Sequence, residues 1–355
     1  MRILSDFHND VQTPKTSPGS YEWWYFDAIS EDGYSVVIIF YDGNPFSRRY
    51  IKKLEEGLPS AASDFPAISI SVYHKNKPLF YAFEEVHRDQ SEFSEKAPAV
   101  TIGNCHLKGV ENGSEIIYML SLDHTLVNGD RLHGELCFRS DYEVPEGFCS
   151  GANVENEDHA WNLVMPKGRV TGTLQLTGYH KQSIEFSGTG YHDHNCGSEP
   201  MKESFREWYW GRYHLSDSTL IYYLMLEKRE WEMKAWLLGD EGDLLPFDGE
   251  IRMSDKQLSL FGMRSARKIS FKTDGAEGLL QLSRLIDNGP FYQRFHGELI
   301  LHRAGGVEKA SGISEYIYPS RIYNRLFWPL VNMRIRYPGK PHWVQRSPRL
   351  YRWTW

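Results

Sequence analysis

Five consecutive side chains that can donate or accept protons lie near the middle of this 355-residue sequence. Flanked by Gly188, Gly190 and Gly197, this polar strip reads Tyr191, His192, Asp193, His194 and Asn195. A polar side chain buried without a partner costs about 1–3 kcal/mol, so these five must contact one another, water, a metal or a ligand. Flanking glycines let the backbone turn sharply and let another group approach closely. The polar strip therefore predicts a site for proton transfer or ligand binding.

A metal centre is one chemistry that these residue types permit. His192, Asp193, His194 and the more distant His159 supply nitrogen and oxygen ligands that suit zinc or iron. On a β-strand, however, His192 and His194 share one face while Asp193 points to the other, so the three cannot converge without a bulge. We therefore expect no metal.

The bulk composition is that of an ordinary water-soluble protein. The formal net charge is −7, and 25% of the residues are charged, which gives no indication of nucleic-acid binding. Aromatic residues make up 14% of the chain, which favours aromatic-lined cores or pockets. The four cysteines show no C-x-x-C spacing, so no zinc site or disulfide framework is predicted. Because no stretch has the apolar character of a signal peptide or membrane span, we expect a cytoplasmic protein.

Charge is distributed unevenly along the chain. Between Tyr316 and Trp355 there is no Asp or Glu, but there are eight basic residues: Arg321, Arg325, Arg334, Arg336, Lys340, Arg346, Arg349 and Arg352. One interpretation is that this tail packs back onto the acidic remainder of the chain. The alternative is a peripheral contact with anionic lipid, since Trp, Tyr and Phe alternate with the basic residues.

Two short motifs occur twice, which indicates an internal duplication. The first pair matches at one constant offset and consists of Glu22, Trp23 and Asp32 with Glu207, Trp208 and Asp217. The second pair comprises residues 131–136 and 294–299, which share the pattern Arg-x-His-Gly-Glu-Leu. The two motifs follow in the same order in each half, with a longer loop expected in the first half.

Both halves have the pattern of short strands separated by turns. A strand at residues 68–73 with a hairpin turn at 74–77 has its counterpart in a strand at 234–238 and a turn at 239–242. Further strands are predicted at residues 115–122, 134–139, 170–177, 279–285 and 298–302. Only residues 318–333 have a helical pattern, which Pro329 interrupts.

These patterns predict an all-β fold of two tandem antiparallel β-barrels with little helix. We place the boundary between residues 1–187, the N-terminal barrel, and residues 188–355, the C-terminal barrel with the basic aromatic tail. The polar strip would then lie at the junction, where pockets are common.

Four motifs together resemble the carotenoid 1,2-hydratase (hydroxyneurosporene synthase) family. They are Glu22-Trp-Trp-Tyr25, His159-Ala-Trp161, Gly190-Tyr-His-Asp-His-Asn195 and Trp208-Tyr-Trp-Gly-Arg212. The resemblance implies a lipocalin-like double β-barrel of the AttH-like group. It also implies hydration of the terminal isoprenoid double bond of an acyclic carotenoid without a redox cofactor. The sequence departs from the family at residue 196, which is a cysteine here and is expected to be a tryptophan in the hydratases.

The resemblance carries catalytic roles over to His159, Trp161, Tyr191 and Asp193. Asp193 would protonate the double bond, since burial raises the pKa of a carboxyl and keeps it neutral, and either water or an internal double bond would then capture the cation, which gives hydration or cyclisation. The rings of Trp161 and Tyr191 would stabilise the carbocation by about 2 kcal/mol or more when desolvated. His159 would orient the acid or deprotonate the water. We expect the substrate, an apolar polyene or isoprenoid, to contact Trp24, Tyr25, His192, His194, Asn195, Trp208, Trp210 and Arg212.

Other interpretations of the same residues stay open. Asp193 can be a turn aspartate or a partner of Arg212, and Glu22 can anchor the barrel by pairing with Arg212 or Arg131. The chain can be a lipocalin-like carrier of a hydrophobic ligand without catalysis. It can also be a pericyclic cyclase, in which Asp193 or His159 only polarises a carbonyl.

Overall fold

In this computed structural model, residues 1–145, 147–149, 159–227 and 229–355 are described. Long runs of β-branched and aromatic residues, such as the run in Tyr34–Asp42, favour strands, since these side chains pack well on a pleated surface. The described residues form two sheets of twelve and nine strands. The all-β prediction with little helix is confirmed.

The first sheet contains the polar strip. Its strands are β1 (Arg2–Leu4), β2 (Tyr21–Ser30), β3 (Tyr34–Asp42), β4 (Ala67–His74), β5 (Lys77–Glu85), β6 (Ser91–Phe93), β7 (Ala99–Ile102), β8 (Cys105–Asn112), β9 (Glu115–Thr125), β10 (Arg131–Ser140), β11 (His159–Thr177) and β12 (Gln182–Gly197). They follow the order β5-β4-β3-β2-β12-β11-β10-β9-β8-β7-β6, all antiparallel, and β1 adds to β11 in parallel. The polar strip in β12 therefore lies in the sheet interior, between β2 and β11.

The second sheet follows the order β16-β15-β14-β13-β21-β20-β19-β18-β17. Its strands are β13 (Glu207–His214), β14 (Ser218–Glu227), β15 (Glu230–Gly239), β16 (Leu244–Pro246), β17 (Ile251–Leu258), β18 (Arg264–Thr273), β19 (Ala276–Asn288), β20 (Tyr292–Arg303) and β21 (Gly306–Ile317). Tyr213, Tyr222, Phe271 and Phe295 belong to a buried apolar cluster formed by strands of this sheet.

The helices are short. They are α1 (Arg48–Glu55), α2 (Met201–Ser204), α3 (Ser320–Tyr323), α4 (Trp328–Arg334) and α5 (Pro348–Arg352), with 3-10 turns at Phe7–Asn9, Ala62–Asp64, Arg88–Gln90, Arg325–Phe327 and Trp343–Arg346. In the part of the chain that the structure describes, no helix has the length and apolar character needed to cross a bilayer.

The predicted strands and hairpin turn occur where the sequence places them. Each predicted strand lies within an observed one, and Lys75 and Asn76 form the β4–β5 turn with positive φ values of 48° and 66°. Residues 318–333 are helical in pieces, as expected. Pro329 lies in the first turn of α4, where its missing N–H removes no helical hydrogen bond.

The duplication is visible in strand order, but only one of the two motif pairs marks equivalent strands. β2 and β13 each begin a hairpin and each pair with the last strand of their own sheet, so Glu22 and Glu207 are equivalent. Residues 131–136 lie in β10, which β11 separates from the last strand, whereas residues 294–299 lie in β20, directly beside it. The prediction that the second motif pair marks equivalent positions of the repeat is therefore wrong. A likeness of six residues does not determine which strand of the repeat carries the motif.

The described chain divides into two compact units, and the division differs from the predicted boundary. The first unit comprises Met1–Tyr142, Cys149–Met201 and Trp328–Trp355; the second comprises Glu143–Phe148 and Lys202–Phe327. The polar strip belongs to the first unit because β12 pairs with β11 from Gln182 to Gly197 and with β2 from Gly188 to Gly197. The basic tail is also divided between the two units. Its residues up to Phe327 belong to the second unit, and its residues from Trp328 onward belong to the first unit.

The leading segment, residues 1–20, covers part of the first sheet. β1 aligns Ile3 with Trp161, and the Ser5 hydroxyl donates to the Leu163 carbonyl at 2.8 Å. Asp10 is fully buried although the surrounding sequence is polar. The first half of β12 alternates between buried and exposed residues, but every residue of the polar strip is buried. Both faces of the strand are therefore covered at the site.

Gly197 permits a close approach that positions a tyrosine of the site. A Cβ added to Gly197 would lie 2.3 Å from Cζ of Tyr21, whose hydroxyl contacts His159. We predict that Gly197→Ala lowers the free energy of unfolding by about 1–3 kcal/mol through overpacking. The measurement is chemical denaturation of the full chain.

The matched control is Gly305→Ala, because no heavy atom outside its chain neighbours lies within 4 Å of a Cβ added at that glycine. We expect this variant to stay within about 0.5 kcal/mol of the wild type. Equal stability of the two variants would show that the Gly197–Tyr21 contact is not needed.

Candidate functional site

The polar strip presents two different faces because successive side chains of a strand alternate. Tyr191, Asp193 and Asn195 share one face, which we call the acid face. His192 and His194 point to the opposite face, which we call the histidine face. The strand geometry expected from the sequence is therefore present.

At least three hydrogen-bond donors hold Asp193 on the acid face. Its Oδ2 accepts from the Trp161 indole Nε1 at 2.8 Å and from the Tyr191 hydroxyl at 2.7 Å. Its Oδ1 accepts from the Asn195 amide Nδ2 at 2.9 Å. The side chain is 4% exposed and lies in the middle of β12, so it is not a turn aspartate.

An irregularity in β11 lies directly opposite Asp193. Asn162 aligns with His194 and Met165 with His192, so two residues of β11, Leu163 and Val164, face the single residue Asp193. Such a bulge locally interrupts the ladder and redirects side chains, and bulges are frequent next to active sites. It lies between Trp161, which donates to Asp193, and the regular part of β11.

Aromatic side chains surround the acid. Trp23 and Tyr25 align across β2 with Asn195 and Asp193, which places them on the acid face. The Tyr25 and Tyr191 rings meet edge to face at 6.1 Å, and Tyr21 stacks on Trp23 at 5.4 Å. These rings are all buried. The aromatic lining that the composition favours is therefore present on this face.

His159 lies at the edge of the acid face and is neutral near pH 7. Its Nδ1 lies 2.9 Å from the Tyr21 hydroxyl, and its ring is tilted against Trp23 at 6.0 Å. Complete burial lowers the pKa of His159 to about 3, although a hydrogen bond to Asn195 opposes the shift. A histidine with this pKa is a weak base.

Two effects act on the protonation of Asp193 in opposite directions. Burial favours its neutral form, whereas three donors favour the carboxylate. Burial, followed by the neighbouring charge of Asp193, raises the pKa of Tyr191 well above its usual value of 10.0. Tyr191 therefore remains a protonated donor to Asp193.

The histidine face holds groups of the leading segment rather than an open surface. His192 Nε2 lies 2.9 Å from Oδ2 of Asp10, which also accepts from the Tyr118 hydroxyl, and His192 Nδ1 lies 3.0 Å from the Tyr25 carbonyl. The imidazole stacks on Phe26 with ring centroids 3.8 Å apart. His192 therefore connects β12 to the leading segment and to β2.

His194 belongs to a buried charge network that also contains Glu22, Lys15 and Asp42. His194 Nε2 lies 2.9 Å from Oε1 of Glu22, and Lys15 Nζ lies 2.7 Å from Oδ2 of Asp42 and also binds Glu22. Nδ1 of His194 lies 3.3 Å from Oδ1 of Asp10. Three carboxylates and two basic side chains thus meet out of contact with bulk water.

Charge pairing overcomes burial in this network. Burial alone would raise the pKa of Glu22, but His194 and Lys15 outweigh it and the pKa is lowered. Burial alone would lower the pKa of His194, but Glu22 outweighs it and the pKa is raised. The pKa of Lys15 is raised against its burial by Glu22 and Asp42. The network therefore favours the ionised forms of these three groups.

Several predicted substrate contacts have other partners. Trp24 lies on the histidine face, stacked on His194 at 4.6 Å, and both histidines are bound to carboxylates of the protein. Glu22 does not have the predicted partner Arg131, which binds Asp123 at 2.7 Å. The reason is that β12 and the leading segment supply nearer cations.

The remaining predicted contacts lie in the second unit. Trp208, Trp210 and Arg212 are buried residues of β13, and Arg212 is fully buried. Cys196, the departure from the family pattern, is partly buried beside Thr13, and burial raises the pKa of its thiol to about 11.

Sequence reasoning missed Asp10, Lys15 and Tyr21. The first two stand in a polar segment that carries no local pattern of burial. Tyr21 directly precedes Glu22, so its position next to the Glu22 motif is the signal that marks it. Across the described residues, no group of three or more His, Cys, Asp or Glu side chains has an arrangement that would hold a metal ion.

Comparison with known proteins identifies a protein family and individual relatives that are similar to this chain. A family model described as carotenoid hydratase CrtC matches residues 60–346. A hydroxyneurosporene dehydrogenase of Chlorobaculum tepidum is 30% identical and aligns over 96% of this chain and 93% of its own length. An acyclic carotenoid 1,2-hydratase of Thiocapsa roseopersicina is 27% identical over 59% of this chain and 48% of its own length.

A solved structure supports the fold. The crystal structure of an AttH-like protein from Nitrosomonas europaea matches with a TM-score of 0.61. It is 15% identical in sequence, and the match covers 89% of this chain and 97% of that one. The chain therefore shares the AttH-like fold.

The charge network on the histidine face predicts a pH-dependent cost for Glu22→Gln. Glu22, with a lowered pKa, adds stability that is complete above its ordinary value of 4.5 and is lost as the pH falls. His194, with a raised pKa, adds stability that is complete below 6.5 and is lost as the pH rises. The stability difference from the wild type should therefore be largest between pH 4.5 and 6.5, at about 3–5 kcal/mol.

Chemical denaturation at a series of pH values measures this difference. The control is Glu207→Gln at the equivalent position of the second unit, where the partly buried carboxylate accepts from the Tyr316 hydroxyl at 3.0 Å. We expect about 1 kcal/mol there. A Glu22→Gln cost that is small or independent of pH would contradict the account of the network.

Proposed function

This chain belongs to the carotenoid hydratase family, and on that premise we propose that it adds water to a terminal isoprenoid double bond of an acyclic polyene. We infer acid catalysis by Asp193 without a cofactor. The observation that carries the proposal is a buried carboxyl group, fixed by Trp161, Tyr191 and Asn195 and enclosed by aromatic rings.

The hydrogen bonds support an assignment of the acidic proton to one of the two oxygens of Asp193. Two donors, Trp161 and Tyr191, occupy the two lone pairs of Oδ2. The acidic proton therefore belongs on Oδ1. In the proposed step the π electrons of the double bond take this proton, a C–H bond forms at the less substituted carbon, and Asp193 becomes a carboxylate.

The three donors act on the product of that step. A carboxylate that accepts several hydrogen bonds is stabilised relative to the neutral acid. Trp161, Tyr191 and Asn195 are already in place, so no reorganisation is needed as the negative charge develops. Before the reaction these donors disfavour the neutral form of Asp193. After proton transfer they lower the energy of the ion pair formed by the Asp193 carboxylate and the carbocation.

The aromatic rings act on the cation. Protonation leaves a tertiary carbocation, which the ring faces of Trp23, Tyr25, Trp161 or Tyr191 can stabilise by about 2 kcal/mol or more in a desolvated site. Water then adds to the cation, and its surplus proton returns to the Asp193 carboxylate, which restores the acid. The step is balanced without an oxidant or reductant.

His159 is proposed as a positioning residue rather than as the base. A group whose pKa is about 3 removes a proton from water poorly, whereas the Asp193 carboxylate is formed in the same step and lies at the reacting carbon. His159 instead fixes the Tyr21 hydroxyl and interacts with Asn195, which donates to Asp193.

Each unit is further proposed to be a lipocalin-like barrel. The AttH-like fold match supports this description, and the meandering antiparallel order of both sheets agrees with it. Across the described residues, the pairing paths end at β5 and β6 in one sheet and at β16 and β17 in the other. The barrel description therefore rests on the fold match.

Asp193→Asn tests the proposed acid. The amide keeps the size of the carboxyl group but has no acidic proton, so we expect kcat for hydration of an acyclic carotenoid in detergent micelles to fall by about 10²-fold or more. Binding of the carotenoid should be nearly unchanged. Product mass measures the reaction, since hydration adds the mass of one water.

The matched control is Asp287→Asn, the same change at an aspartate of β19 that is also 4% exposed. We expect this variant to retain activity. Full activity of Asp193→Asn would contradict the assignment. A product of unchanged mass would indicate cyclisation, and a polyene returned unaltered by the wild type would indicate a carrier without catalysis.

A further inference from the structure

The basic aromatic segment, Trp328–Trp355, belongs to the first unit, which also contains the acid face. It contains no Asp or Glu, and its basic residues are Arg334, Arg336, Lys340, Arg346, Arg349 and Arg352. The proposed hydration does not use this segment. Its charge and its exposed tryptophans therefore call for a separate explanation.

Three of its arginines attach the segment to the first unit. Arg336 pairs with Glu84 at 2.8 Å, and Arg352 pairs with Asp130 at 2.9 Å. Arg334 is buried, donates to the Thr354 carbonyl at 2.6 Å and lies over the Tyr81 ring. The prediction that the tail packs back onto the body is thus confirmed for this part of it.

The other three basic residues, Lys340, Arg346 and Arg349, are exposed. None of these three residues takes part in an ion pair among the described residues, in contrast to Arg336 and Arg352. Large apolar side chains are exposed beside them: Trp343 is 66% exposed, Leu350 43% and Trp353 86%. Large exposed apolar groups among polar residues are typical of an interaction site.

Exposed and buried positions alternate along the segment as on an amphipathic surface. Trp343, Arg346, Arg349, Leu350 and Trp353 are exposed at spacings of three to four residues or as direct neighbours. The side chains between them that hold the segment in place are Val344, Gln345, Tyr351 and Thr354. One side is thus fixed to the first unit, and tryptophan, leucine and arginine face outward.

We propose that these outward side chains seat the first unit on the surface of an anionic lipid bilayer. Tryptophan prefers the headgroup level of a membrane, and each Lys or Arg near an anionic surface adds attraction. Tryptophan and arginine are also enriched at protein interfaces, so binding to vesicles that contain no protein is the result that distinguishes a bilayer from a protein partner. The proposal rests on the proposed function in one respect: an apolar polyene dissolves in the bilayer, so a docked enzyme meets its substrate there.

Vesicle co-sedimentation of the full chain tests the proposal. We expect the wild type to pellet with phosphatidylcholine vesicles containing phosphatidylserine, less with pure phosphatidylcholine, and less as salt is raised. Arg346→Gln with Arg349→Gln should reduce the apparent partition coefficient by about tenfold or more. Trp343→Ser with Trp353→Ser should also reduce it, with little effect of salt on the loss.

The control replaces exposed apolar residues elsewhere, Leu258→Ser with Leu260→Ser, which are 73% and 89% exposed in the second unit. This variant should pellet like the wild type. Thermal unfolding checks that each variant is folded. Equal pelleting of all variants, equal binding to both kinds of vesicle, or no binding of the wild type would overturn the proposal.

The vesicle assay contains no polyene, so its outcome is independent of catalysis. A wild type that binds anionic vesicles but hydrates nothing would contradict the proposed function alone. A wild type that hydrates a carotenoid in micelles but does not bind vesicles would contradict only the proposal that this segment binds a membrane.

Discussion

The structure depends on one carboxyl group that is kept out of water and yet surrounded by donors. Asp193 is almost completely buried, and Trp161, Tyr191 and Asn195 converge on its two oxygens. Burial and donation act on its protonation in opposite directions. In the proposed mechanism, this group is neutral before proton transfer and is stabilised as an anion after it. The aromatic rings that exclude water are proposed also to supply the faces that stabilise a carbocation.

The histidine face explains how a strand can carry such a group in the sheet interior. His192 and His194 contact Asp10 and Glu22, so the same strand that presents the acid on one side is fixed by buried polar contacts on the other. The leading segment supplies Asp10 and Lys15 to these contacts. The same residues of the leading segment therefore cover one face of the strand and fix it in place. The sequence around them gives no indication of this role.

Much of this arrangement follows from sequence patterns that obey strict geometry. Strand alternation separates Asp193 from its histidine neighbours, and the repeated Glu-Trp motif identifies β2 and β13 as equivalent strands. The burial of Asp10 could not be predicted, because its partners lie far away in sequence and the segment around it is polar. The boundary between the units could not be predicted from local sequence patterns either. It depends on strand pairing, which places β12 with β2 and β11. The short motif shared by β10 and β20 does not mark equivalent strands, because it carries no information on strand order.

The central claim is that a proton passes from Asp193 to a carbon atom of the substrate. The most direct measurement is hydration of an acyclic carotenoid in deuterated water, with product analysis by mass spectrometry and NMR. The account predicts one carbon-bound deuteron at the position next to the new hydroxyl-bearing carbon. A hydrated product without carbon-bound deuterium would contradict it, because water would then have entered without protonation of the double bond.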